Sequence, residues 1–90
     1  MSAPDDPGGH RKARATHTRA AETHGRAAEL HEESANFHEA HATEMWEKGL
    51  TNSAERAEHI ADRERELAHK EHARADKHRR SAAAEPDPAA

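Results

Sequence analysis

The sequence predicts an all-α fold, an antiparallel two-helix hairpin of coiled-coil type, on three observations. Strand-forming residues are nearly missing: valine and tyrosine are absent, and isoleucine and phenylalanine occur once each, at Ile60 and Phe37. A seven-residue repeat opening with histidine runs through the first half as HRKARAT, HTRAAET, HGRAAEL, HEESANF and HEAHATE, placing His10, His17, His24, His31 and His38 in one row. One break, Lys48-Gly49-Leu50, divides the chain near its middle. A sustained period of seven is a helical period, because it returns a residue to nearly the same face every two turns.

The elements follow in order. Residues 1–10 hold Pro4, Pro7, Gly8 and Gly9 and read as a flexible tail. A first helix is expected over about 11–48. Within it Ala13, Ala20, Ala27 and Ser34 form one row, Ala21, Ala28, Ala35 and Ala42 a second, and Thr16, Thr23, Leu30 and Phe37 a third, together a small-to-apolar stripe. A turn is expected at 49–51, with Gly49 in the left-handed conformation that ends helices. A second helix is expected over about 52–84, capped by Asn52 with Glu55 closing a capping box. Glu85-Pro86-Asp87-Pro88 stops it, and 85–90 is a second flexible tail. A connection this short forces the helices antiparallel. Residues at one level of such a hairpin share an index sum. Leu30 with Leu67 and Phe37 with Ile60 share theirs, so two matched apolar layers are expected, with alanines 27, 54, 57, 61 and 68 between them.

Composition limits what the fold can do. Of 90 residues 21 are alanine, and only Leu30, Phe37, Met45, Trp46, Leu50, Ile60, Leu67 and Met1 are large and apolar. Burying such a group contributes roughly 1.5–3 kcal/mol, against about 1.5 kcal/mol for each residue ordered. A lone hairpin is therefore marginal, and a homodimer or other homo-oligomer is expected. The absence of cysteine excludes disulfides, thiolate metal sites and cysteine nucleophiles. No apolar run nears the ~20 residues that span a bilayer and no signal-peptide core opens the chain, so no membrane is expected and the cytoplasm is the default location.

The net charge of −4 conceals an asymmetry. In the hairpin, the basic segments 10–26 and 69–80 meet at the open end, and the acidic segment 27–68 forms the closed half. The first helix thus carries its charge against its own dipole, which implies either that tertiary pairing decides or that the basic end serves a partner. Six of the 10 histidines (His10, His17, His24, His69, His72, His78) lie in the basic half. Mild acidification is expected to destabilise the open end by self-repulsion.

Histidine spacing restricts metal binding. Residues seven apart on a helix are about 10.5 Å apart, too far to share an ion. Ligation needs i,i+3 or i,i+4 neighbours or the facing helix. His38, His41, Glu55 and His59 meet this condition, since 38 and 59 fall at one level and 41 faces 56. Three imidazoles and a carboxylate suit zinc, nickel or copper, so a metal-binding or metal-buffering protein is the alternative to a structural module. No enzyme is expected. His31-Glu32 and His38-Glu39 open like HExxH, but positions 35 and 42 are alanine, and Glu66-x-x-His69 has no second copy. Nucleic acid is not expected either: the basic open end lacks aromatics for stacking and the other half is acidic. The units HGRAAEL-HEESANF-HEAHA and AERAEHIADRERELAHKE resemble short Ala/Glu/His-rich helical proteins of high-GC bacteria over about residues 17–75. That resemblance implies no function and assigns no site residue.

Overall fold

The structure, a computed structural model, describes residues 7–86. It is a hairpin of two helices, α1 (Pro7–Glu47) and α2 (Thr51–Ala84), packed along their length into a rod of 72 × 20 × 13 Å. Helix α1 begins four residues before the expected 11, so residues 7–10, expected in the tail, are helical. Proline suits this start because its missing N–H falls where no helical bond is made. Residues 1–6 and 87–90, the rest of both expected tails, lie outside the described residues. No helix among the described residues is long and apolar enough to cross a membrane.

The turn is built as its residues require. Gly49 has φ +73°, the left-handed conformation, and is the one described residue with a positive φ. Its N–H donates to the Trp46 carbonyl at 3.0 Å, and the Leu50 N–H reaches back to the Met45 carbonyl at 2.8 Å. This pair of bonds satisfies carbonyls left open at the end of α1. The capping box does not form. Helix α2 starts one residue earlier than expected, at Thr51, with Leu50 at the cap position and no side-chain capping bond. With the Leu50 carbonyl already accepting from the Ala54 N–H at 2.9 Å, the helix begins before Asn52 can cap it.

The core is alanine and nothing larger. Ala21, Ala28, Ala35 and Ala42 of α1 and Ala54, Ala57, Ala61, Ala68 and Ala75 of α2 are the buried apolar residues among those described, each at most 3% exposed. The expected Leu30–Leu67 and Phe37–Ile60 layers do not form: Leu30 is 65% exposed, Phe37 67% and Ile60 41%. Index sums fix the level of a residue along the rod but leave its direction around the helix open. The two unbroken rows of seven-spaced alanines decide that direction, because small side chains let the backbones approach along the whole length. Lettering the heptad from these alanines as position a, the interface takes d, a and e of each helix, with d and e about 50° to either side. Positions c and g lie outside this interface; they hold the exposed Leu30, Phe37 and Ile60 and the half-buried Leu67.

Two substitutions test this setting in thermal or urea unfolding. Ala35→Leu, which forces the seam apart, should lower stability by about 1–3 kcal/mol. Gly25→Ala should raise it by about 0.5–1 kcal/mol: a methyl there would meet only the Arg79 Nη2 at 3.6 Å, an ordinary contact, and would remove the helix penalty of glycine.

Candidate functional site

The histidine row lies at d, beside the alanine seam, and faces a matching row of α2. Residues 57, 64, 71, 78 and 85 are seven apart and stand opposite His38, His31, His24, His17 and His10 in turn. The His31 Nδ1 donates to Glu64 Oε2 at 2.5 Å, the His24 Nδ1 to Glu71 Oε2 at 2.5 Å, and the His10 Nδ1 to Glu85 Oε2 at 2.9 Å. These are partly buried pairs, with Glu71 16% and Glu64 23% exposed. At the remaining polar rung histidine meets histidine: the Nδ1 atoms of His17 and His78 are 2.9 Å apart. Their ring centroids are 5.2 Å apart at 34°, and the His24 ring stacks on His78 at 5.6 Å and 6°.

The other flank, at e, carries more exposed pairs. The Trp46 Nε1 donates to Glu58 Oε1 at 2.7 Å, Arg65 pairs with Glu39, and the His72 Nε2 donates to Glu32 Oε1 at 2.6 Å. Arg14 continues row a at the open end, where its Nη2 donates to the backbone carbonyls of Glu85 at 2.7 Å and Pro86 at 3.1 Å. A basic residue of α1 thereby closes the C-terminus of α2, whose own last turn has none. The charge that runs against the dipole of α1 serves its neighbour.

The electrostatics of the ladder differ from rung to rung. The hydrogen bond from His24 holds the Glu71 carboxyl below its ordinary value, with Arg74 adding to the effect against partial burial. His78 is held below the ordinary imidazole value, first by burial and then by the nearby positive charges of His17, His24 and Lys77. Protonation of His78 therefore opposes the His17–His78 rung, one level of the open end at which acid sensitivity is expected.

The four residues expected to ligate metal are not gathered. His38 is half-buried on row d, whereas His41, Glu55 and His59 are exposed. The Phe37 ring meets His38 edge-on at 5.3 Å and stacks with His41 at 6.5 Å. Glu55 and His59 line an open depression on α2 with Asn52, Arg56 and Ile60. Level was again the condition met and direction the one missed, because His59 at position f points away from α1 and Glu55 at b adjoins the opposite flank from His41. Among the described residues no three histidine, aspartate or glutamate side chains converge to hold an ion. The ladder itself escaped the sequence reading, although the heptad 57, 64, 71, 78, 85 was its signal.

Replacing His78 by the glutamate that its row carries at 64, 71 and 85 tests the electrostatics. The depressed His78 pKa stabilises the fold above about pH 6.5 and ceases to do so as pH falls below it. His78→Glu should therefore melt several degrees above wild type at pH 5 and differ little at pH 8. An equal offset at both pH values would contradict this account. No protein-family model matches the chain, and neither a curated protein nor a solved structure was found to match it.

Proposed function

We propose that the protein is a non-catalytic interaction module, a helical hairpin that pairs with a second copy of itself through the face bearing Leu30, Phe37, Ile60 and Leu67. The observation that carries this reading is the inversion of the core. Alanine occupies the whole seam, while Leu30 and Phe37 stand about two-thirds exposed, one heptad apart, on the outer face of α1. Nine buried methyl groups contribute roughly 0.8 kcal/mol each, a thin core for two helices of 41 and 34 residues. The accessible surface of 6640 Å² exceeds the roughly 5,200 Å² of a compact chain of this mass. Covering the outer apolar row supplies the burial that the hairpin lacks.

Charge selects the occupant. The closed half is acidic and the open end basic, so a second copy laid antiparallel sets each acidic half against a basic one. A two-fold axis gives the same contacts to both copies. Four helices then enclose Leu30, Phe37, Ile60 and Leu67 between two alanine seams.

Sedimentation equilibrium at micromolar concentration should give twice the chain mass, with dissociation favoured by high salt. The double variant Leu30→Ser, Phe37→Ser should sediment as a monomer while keeping its helical circular dichroism, since neither residue belongs to the seam. A wild-type monomer throughout the micromolar range would sink the proposal.

A further inference from the structure

The ladder has one exception, and it brings imidazoles together across the two helices. Row d of α2 presents glutamate to His31, His24 and His10, but at position 78 it presents histidine to His17. Two neutral imidazoles whose Nδ1 atoms face each other at 2.9 Å share one proton, one ring donating and the other accepting. Once that proton moves to the Nε2 of the donating ring, both Nδ1 lone pairs are directed at the same small volume. A divalent ion bound by nitrogen at about 2.0–2.1 Å in tetrahedral geometry sets its ligand atoms roughly 3.3 Å apart. Opening the pair by a few tenths of an ångström accommodates it.

We propose that His17 and His78 form a two-imidazole clip for a divalent transition-metal ion, of the zinc, nickel or copper class, joining α1 to α2 near the open end with water completing the coordination. Imidazole nitrogen suits these ions. Binding releases no net proton, because the donating ring moves its proton from Nδ1 to Nε2. His24, stacked on His78 and anchored through its own Nδ1 to Glu71, covers one face of the pair and sets a carboxylate nearby. Lys77 opposes the cation, so the affinity expected is that of two imidazoles alone. The two ligands are 61 residues apart in sequence, and an ion held by both binds only when the helices are paired. Folding and binding are thereby coupled.

Titration calorimetry of the full chain with zinc chloride and with nickel chloride at pH 7.5, together with melting curves, tests the clip. One equivalent should bind, and saturating metal should raise the melting temperature by about 5 °C. His17→Gln and His78→Ala should each weaken binding about tenfold or more and abolish the melting shift. His78→Ala keeps the fold because Ala57 already stands opposite His38 in the same row. The paired variants His38→Gln, His41→Gln and His69→Gln, His72→Gln should leave affinity and shift unchanged. The proposal is overturned if wild type binds neither metal, if affinity survives in either His17→Gln or His78→Ala, or if the loss follows one of the paired variants.

Discussion

Everything in this molecule depends on the smallness of the side chain at one heptad position. A methyl group at 21, 28, 35 and 42, facing methyls at 54, 61, 68 and 75, lets two backbones run side by side with nothing larger between them. The close approach has two consequences. It leaves no room in the seam for leucine or phenylalanine, which are displaced outward. It also brings the flanking d and e positions within direct reach of each other, so that histidine, glutamate and arginine meet across the gap. A seam of leucines would hold the helices farther apart, and the same flanking side chains would find water instead.

The two flanks do different work. On the d side the rungs are partly buried and regular, histidine to glutamate at three levels, and they close one long edge of the alanine core. On the e side the pairs are more exposed, Glu32 with His72 and Glu39 with Arg65, and ion pairs of that kind contribute little to stability. Specificity therefore resides on the d side. The His17–His78 rung is distinguished there by chemistry rather than by position, since its neighbours in the row show what an ordinary rung contains.

The all-α hairpin, the turn and the left-handed Gly49 were legible in the sequence, because helical period and a glycine break are local properties. The level of each residue was nearly legible too. In the rungs His10–Glu85, His17–His78, His24–Glu71 and His31–Glu64 each histidine meets a residue two positions from the one that pairing Leu30 with Leu67 implies. Direction around the helix was not legible, because large apolar side chains were given more weight than small ones. Leu30 and Phe37 make a row of two, whereas the alanines at 21, 28, 35 and 42 make a row of four that α2 answers with four. Persistence of a row, rather than the hydrophobicity of its members, identifies the seam. The four expected ligands are left apart for the same reason: His59 shares a level with His38 but faces the other way.

A seam that repeats every seven residues is blind to translation. Sliding one helix by a heptad would set alanine against alanine again, so methyl packing cannot choose among such registers. The choice is left to the three-residue connection of Lys48, Gly49 and Leu50 and to the unequal rungs of the d row. By the same logic length is a free variable of this architecture. Adding one heptad to each helix extends the rod by about 10 Å and supplies one more rung, with the turn and the alanine contacts unaltered. The chain is built on a unit that can be counted, and five histidines mark the count.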